Sequence, residues 1–192
     1  MSDWKDRLTK TLEPVLRTPD PRPDISAYHD MPYAIFRYPP EEEFAVRAEI
    51  SMLKTRLEQS GKRVTIISLA ECLVAALEAE GIDAPSLIEA EKSVGLEETV
   101  HTVHEILSDY QPLDALVVER MPENPDPLKD IVMITRSGAL FPMYRTSSLL
   151  DQLMGSVQLP SVLFYPGELD GAAGLKFMGI LDAEHNYRPK IF

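Results

Sequence analysis

The chain has little cysteine, few aromatic residues and no long apolar run. A single cysteine, Cys72, stands among 192 residues, which excludes an internal disulfide and a cysteine-rich zinc cluster. It falls inside a helical pattern, so we interpret it as a small core residue. No apolar stretch is long enough to span a bilayer, and no charged start precedes an apolar signal segment. We therefore expect a cytoplasmic protein without a membrane partner.

Basic residues are also scarce relative to acidic ones. The 19 lysines and arginines against 31 aspartates and glutamates give a formal net charge of -12. This charge repels a polyanion at long range, so direct nucleic-acid binding is not expected, although a local basic pocket is not excluded. With 44% apolar residues the chain can bury a full core, and its length favours one domain over residues 1–192.

The beginning of the chain predicts a helix followed by a stiff connector. Within residues 1–17 the apolar side chains form one helical stripe, which consists of Trp4, Leu8, Leu12, Val15 and Leu16. We expect Trp4 to pack on the body of the protein, with docking on another protein as the alternative. Residues 18–31 contain three alternating prolines, which predict a connector without regular hydrogen-bonded structure.

The centre of the predicted fold is residues 131–171. Two short apolar runs, 131–135 and 161–165, end at turn clusters and flank a segment of helical length. Apolar runs of this kind suit strands that are buried on both faces, which predicts a β-α-β unit in a parallel sheet. Binding groups in such sheets lie where the strands end, so residues 136–138 and 166–170 are the first candidates for function.

The remaining elements extend this pattern. Helices are predicted from Glu41 to Gly61, from a capping box at Ser68 to Gly81, from a second capping box at Ser86 to Gly95, and along the stripe that begins at Leu96. Strands are predicted at 33–37, 64–68, 114–119, 131–135, 161–165 and 175–181, with a loop at 121–129 and a polar turn and tail at 182–192. We expect one three-layer α/β domain with about five mainly parallel strands covered by helices, of Rossmann-like or P-loop-like topology without a Walker motif.

Phosphate-binding motifs are missing from the places where this topology would need them. The turn after the first strand reads Tyr-Pro-Pro-Glu-Glu-Glu, whereas a nucleotide site needs a glycine-rich loop there. The Gly61-Lys62 pair lacks the earlier glycine and the following Ser or Thr, and it precedes a strand. A Walker-type ATPase is therefore excluded.

Three other chemistries have weak support. His101 and His104 are one helical turn apart but have no third metal ligand at a recognised spacing. Ser137 follows a strand, yet the glycines of a nucleophile elbow are replaced by Thr135 and Ala139, which favours a turn serine. Glu168 and Asp170, which share one loop, leave a metal-assisted hydrolase open as an alternative.

Three arginines fall at or just past the predicted strand ends. They are Arg37, Arg120 and Arg136, and Glu168 and Asp170 are among their candidate counterions. Because the carboxyl ends of parallel strands share one edge, these groups are expected to converge. A structural ion-pair network is the favoured interpretation. The alternative is a docking point for a carboxylate or phosphate of a partner.

Several segments together resemble one known family. They are PYAIFRYPPEEE at 32–43, TRSGALFP at 135–142, RTSSLL at 145–150, VLFYPGELDG at 162–171, LKF at 175–177 and NYR at 186–188. In this order they resemble the BrxB family, a small component of bacterial BREX (bacteriophage exclusion) anti-phage defence systems. The segment FYPGE-x-DG is the most specific part.

The resemblance implies a cytoplasmic protein that is encoded with a DNA methyltransferase, a large ATPase and the alkaline-phosphatase-like protein PglZ. It supplies no catalytic, cofactor-binding or metal-binding residues. We therefore expect a non-catalytic scaffold or adaptor of a BREX complex, with PglZ as the first partner and the methyltransferase and ATPase as further ones. The competing hypothesis is a metal-dependent hydrolase acting on nucleic acid or nucleotide through Glu168 and Asp170.

Overall fold

The computed structural model describes residues 3–26, 32–171, 174–183 and 189–192. The α-helices are α1 (Asp3–Arg7), α2 (Glu13–Leu16), α3 (Arg22–Ile25), α4 (Glu43–Gln59), α5 (Leu69–Ala79), α6 (Ala84–Val94), α7 (Leu96–Glu105), α8 (Leu113–Val118) and α9 (Thr146–Leu153). π-Helical turns cover Leu8–Leu12 and Ile106–Tyr110, and 3₁₀ turns cover Pro40–Glu42 and Ser137–Leu140. The strands are β1 (Tyr33–Tyr38), β2 (Arg63–Ser68), β3 (Asp130–Thr135), β4 (Ser161–Asp170), β5 (Gly174–Phe177) and β6 (Lys190–Ile191).

These strands form one six-stranded sheet, in the order β2-β3-β4-β1-β6, with β5 attached to β4 outside this path. Every pairing along the path is parallel, and only the β4–β5 pairing is antiparallel. The interior strand β3 is buried at all six positions, as expected for a strand covered on both faces. The sheet confirms a single α/β domain that is mainly parallel and flanked by helices, and it confirms the β-α-β unit of β3, α9 and β4.

Each face of the sheet carries its own apolar core. Phe36 and Met133 point to the face covered by the N-terminal helical segment and α4, whereas Ile35 and Ile134 point to the face covered by α5, α7, α8 and α9. This alternation follows from the two-residue period of a strand. Helix α4, which follows β1, covers one face of the sheet. Helices α5 and α9, which follow β2 and β3, cover the other face.

The N-terminal helical segment packs on the domain, as predicted. Its side chains Trp4, Leu8, Leu12 and Leu16 are each at most 1% exposed. A buried carboxylate, Glu13, adds a polar attachment: the Arg56 side chain of α4 donates to both of its oxygens, at 3.1 and 3.0 Å. Apolar packing and a buried ion pair thus fix this segment against α4.

The predicted strand at 114–119 is wrong, because these residues belong to α8 and the end that follows it. A short apolar run fits a strand and a buried helix equally well, and only its period distinguishes them. Leu113 and Val117, four residues apart, are fully buried, whereas Val118 is 41% exposed. That period is helical, so all of the chain between β2 and β3 contributes helices or turns rather than a strand.

Two further local predictions need correction: the absence of regular structure in the connector and the first residue of one helix. The proline-rich connector contains helix α3, because Pro23 occupies its first turn, where no intrahelical N–H donor is needed. The helix expected to start at Ser86 begins at α6's first residue, Ala84, because the side chain of Asp83 accepts a hydrogen bond from the Ser86 backbone N–H at 2.8 Å.

The end of the chain differs from its prediction as well. The strand expected at 175–181 is limited to β5, because the chain turns at Met178 and Gly179, both of which have positive φ. The tail adds the short strand β6 beside β1, which the sequence pattern did not indicate. Residues 184–188 of the predicted turn and tail lie outside the described residues. Among the described helices, none combines the length and the apolar character of a membrane-spanning segment.

Candidate functional site

A cleft of about 250 Å³ opens at the carboxyl ends of β1, β3 and β4. Since the chain leaves β1 over one face of the sheet and β3 over the other, a crevice forms between them, which is the usual ligand position in open parallel sheets. The cleft is lined by the residues Pro40, Glu43, Phe44, Arg47, Arg136, Gly138, Ala139, Pro166 and Met178. Its wall is therefore mainly apolar, with two arginines and one glutamate.

The charged groups of the cleft differ in their contacts. Glu43 accepts a hydrogen bond from the hydroxyl of Tyr38, whose pKa is raised by burial and, secondarily, by this carboxylate. Arg47 lies over the exposed ring of Phe44, with 5.8 Å between the guanidinium carbon and the ring centroid. Among the described residues, neither Arg47 nor Arg136 has a carboxylate within 4 Å. Both guanidinium groups are thus open to an external anion.

The backbone of the cleft is strained at two points. Arg136 has φ of 58° and Met178 has φ of 55°, and these are the non-glycine residues with positive φ in the described part of the chain. Each such residue costs roughly 1–3 kcal/mol, and such strain clusters at binding and catalytic sites. Both residues line this cleft. The backbone strain and the two arginines without a carboxylate partner among the described residues are therefore found in the same cleft.

The segment FYPGELDG shapes the wall of the cleft. Gly167 lies where β4 passes from its parallel partners into the hairpin with β5. A Cβ added there would stand 2.3 Å from the Lys176 carbonyl oxygen and 2.4 Å from the Tyr165 ring. Only glycine fits without a shift of its neighbours, which explains the glycine of the Pro-Gly pair in structural terms.

Ser137 is a structural serine. It is fully buried, and its Oγ donates a hydrogen bond to the carbonyl oxygen of Phe164 at 2.8 Å. This bond joins the turn after β3 to β4. The hydroxyl faces the sheet rather than solvent, so the arrangement supports a turn serine rather than a nucleophile.

Lys62, from the rejected Gly-Lys pair, also has a structural place. Its Nζ donates to the carbonyl oxygens of Thr18, Pro19 and Leu128, at 2.6, 3.2 and 2.8 Å. Burial lowers the pKa of this amine. Lys62 therefore ties the N-terminal connector and the loop before β3 to the sheet, away from the cleft.

The three predicted arginines do not meet at one point. Arg37 lies in a second cavity, of about 360 Å³, together with Arg7 and Lys190. Burial lowers the pKa of Arg37, as does the charge of Arg7, while Asp3 and Glu168 act in the opposite direction. Arg120 follows helix α8 instead of a strand, and its side chain donates to the Leu116 carbonyl oxygen at 2.7 Å. Only Arg136 reaches the cleft.

Glu168 and Asp170 lie on the β4–β5 hairpin. Glu168 is paired in register with Lys176, and the Nζ of Lys176 is 3.5 Å from an oxygen of Asp170. A lysine is thus beside the two carboxylates that the hydrolase hypothesis requires. Neither carboxylate lines the cleft at the strand ends.

The two histidines and the cysteine considered in the sequence analysis lie outside the strand-end cleft. The His104 ring contacts the Met143 carbonyl oxygen at 3.0 Å, and His101 is 3.7 Å from Glu105. No group of three or more metal-ligating side chains occurs in the described ranges. Cys72 is fully buried, which raises the pKa of its thiol. It belongs to the buried face of α5 and packs in the core.

Sequence reasoning missed Phe44, Arg47 and Met178. Phe44 is 80% exposed and lies off the buried stripe of α4, so an apolar residue on the polar side of that helix was the available signal. Arg47 lies one turn further along the same helix. Nothing local marks Met178, because its position depends on the turn after β5.

Comparisons with known proteins agree with the resemblance. Residues 65–191 match the family model described as BREX protein BrxB. A BREX protein BrxB from Bacillus cereus (strain H3081.97) is 30% identical over 162 residues, which cover 83% of this chain and 82% of that relative. No solved structure matches the sequence. Because the family model spans more than half of the chain, the protein belongs to the BrxB family of BREX proteins.

Proposed function

We propose that this protein is a non-catalytic adaptor of a BREX anti-phage complex and that it binds PglZ, the alkaline-phosphatase-like component. Family membership supports a place among BREX proteins. The observation that carries the adaptor role is the composition of the strand-end cleft, which is apolar with two open arginines. A cleft of this composition suits a protein segment better than a reacting substrate.

The loop after β1 supports this assignment. A nucleotide site at this position uses backbone N–H donors at the start of a helix. Here Pro39 and Pro40 have no N–H, and the carboxylates of Glu41, Glu42 and Glu43 repel phosphate. The local chemistry therefore disfavours a nucleotide at the position where this topology would hold one.

The second candidate function is a metal-dependent hydrolase through Glu168 and Asp170. The observation in its favour is that residues two apart on a strand point to the same side of the sheet. Lys176 counts against it, because its amine already neutralises part of this charge. Divalent cations distinguish the two functions: the hydrolase predicts a higher melting temperature with Mg²⁺ or Mn²⁺ that Glu168→Gln abolishes.

We place the adaptor in the cytoplasm, beside the methyltransferase and ATPase that the family implies as further partners. The proposed contributors to partner docking or to loop ion pairs remain Arg37, Arg120, Arg136, Glu168 and Asp170. The bond of Arg120 to the Leu116 carbonyl oxygen makes Arg120 the weakest docking candidate of the five.

Co-purification tests the proposal. The tagged chain is expressed with the BREX proteins encoded beside it, and the eluate is examined by mass spectrometry. Stoichiometric recovery of PglZ without added metal is expected. Recovery of no BREX component would refute the adaptor role, and recovery of a component other than PglZ would refute the partner assignment alone.

A further inference from the structure

The strand-end cleft has the features of a specific protein-docking site. Its apolar wall includes Pro40, Ala139, Pro166 and Met178, and Phe44 on its rim is 80% exposed. An aromatic side chain with that exposure contributes strongly to binding once a partner covers it.

The charged side chains of the cleft indicate the charge of the group that binds there. Although the whole chain carries a formal net charge of -12, the cleft contains two arginines and a single glutamate. That glutamate, Glu43, already accepts a hydrogen bond from the Tyr38 hydroxyl. Arg47 and Arg136 have no carboxylate within 4 Å among residues 3–26, 32–171, 174–183 and 189–192. Arginine binds carboxylates through two parallel N–H donors, so an acidic side chain is the complementary group.

The volume of the cleft favours a protein side chain over a nucleotide as the ligand. Its volume of about 250 Å³ is below the range of roughly 300–1,000 Å³ typical of small-molecule sites. A single anchoring side chain with a neighbouring carboxylate matches this volume better than a nucleotide does. The prolines and glutamates after β1 disfavour phosphate on separate grounds.

The geometry points to one occupant: an acidic segment of a partner protein that inserts a large apolar side chain beside Phe44 and Met178 and places an adjacent Asp or Glu carboxylate on Arg47 and Arg136. This inference rests on the proposed adaptor function and assigns it a surface. The strained φ of 58° at Arg136 fits the assignment, since glycine would relieve the strain but would remove the guanidinium.

Photo-crosslinking identifies the occupant directly. Phe44 is replaced by p-benzoylphenylalanine in the full chain, which is expressed together with the other BREX proteins, and crosslinked peptides are sequenced. Met52, which is 51% exposed on the same helix but does not line the cleft, carries the probe in the matched control. We expect the Phe44 probe, and not the Met52 probe, to capture a segment with Asp or Glu next to a large apolar residue.

Arg136→Gly in the Phe44-probe chain tests the charge. It is expected to lower the crosslink yield at least fivefold without lowering the melting temperature, because glycine accepts the positive φ. Arg120→Gln, which removes an arginine outside the cleft, is expected to leave the yield unchanged.

Each contrary outcome has a separate meaning. If PglZ or another BREX protein co-purifies but the Phe44 probe captures nothing, or captures a segment without carboxylates, the cleft assignment is refuted and the adaptor function stands. Capture of an acidic apolar segment from a protein outside BREX supports the cleft and contradicts the adaptor function. A rise in melting temperature with ATP that Arg136→Gly abolishes refutes the protein-segment occupant in favour of a nucleotide.

Discussion

The backbone of Gly167 lies so close to the Lys176 carbonyl oxygen that an added Cβ would be 2.3 Å from it. Gly167→Ala must therefore separate β4 from β5 or displace the Tyr165 ring. We expect the free energy of unfolding to fall by about 1–3 kcal/mol, the usual cost of overpacking. Urea unfolding followed by circular dichroism measures it. Gly138→Ala is the control, because its Cβ would meet its nearest neighbours at 3.3 Å; equal losses in both variants would contradict the close approach.

The contacts of the Glu13 carboxylate predict a measurable contribution of the N-terminal helical segment to the free energy of unfolding. Its side chain is 9% exposed and contacts both Arg17 and Arg56. Glu13→Gln replaces the charge-assisted hydrogen bonds from both arginines with weaker amide contacts, while Arg56 keeps Glu49 at 3.0 Å, so it should cost about 1.5–3 kcal/mol in urea unfolding. The exposed pair of Lys10 and Asp6 serves as the comparison, and Lys10→Gln should cost less than about 0.5 kcal/mol. A loss as small in Glu13→Gln would show that the Glu13 carboxylate contributes little to holding the segment.

Asp130 predicts part of the acid sensitivity of the fold. Burial acts to raise the pKa of this carboxyl, but the Arg63 side chain at 2.7 and 2.6 Å and the Asp126 backbone N–H outweigh it, so the pKa is lowered. The stabilisation is then complete above the unfolded pKa of about 3.9 and is lost as the pH falls through the lower folded pKa.

The test is unfolding free energy measured from pH 6 down to pH 2. Asp130→Asn should be less stable than wild type at pH 6, and the difference should shrink on acidification. A difference that stays constant over this range would mean that Asp130 contributes through packing instead of through its charge.

The buried hydroxyl of Ser137 predicts a stability effect without a loss of partner binding. Ser137→Ala removes the donor to the Phe164 carbonyl oxygen and should cost about 1–2 kcal/mol. Under the proposed adaptor function, co-purification with PglZ should be unchanged below the melting temperature. A folded Ser137→Ala protein that no longer supports phage exclusion, yet still binds its partners, would instead indicate chemistry at this hydroxyl.

Much of the fold follows from local patterns, and the exceptions have physical causes. Strands β3 and β4 are recognisable because apolar runs end at turn residues, and Leu69–Ala79 is preceded by Ser68, whose side chain accepts from the Glu71 N–H. The run at 114–119 is too short to reveal its period, and β6 forms two residue pairs whose existence depends on β1 being in place.

The site was less accessible to sequence reasoning than the fold. The sequence indicated Arg136 through the end of β3, but Arg47 and Phe44 reach the same cleft from α4, and Met178 reaches it from the turn after β5. These contacts depend on the order of the strands. The positive φ at Arg136 is likewise invisible in a residue type that rarely adopts it.

Isothermal titration of purified PglZ into the purified chain, in the presence of EDTA, tests the proposed binding of PglZ most directly. The proposal predicts saturable binding with Kd of about 1 µM or tighter, and the cleft assignment predicts that binding is at least tenfold weaker for Arg136→Gly and unchanged for Arg120→Gln. Absence of saturable binding by a folded wild-type chain would contradict the assignment of PglZ as the partner.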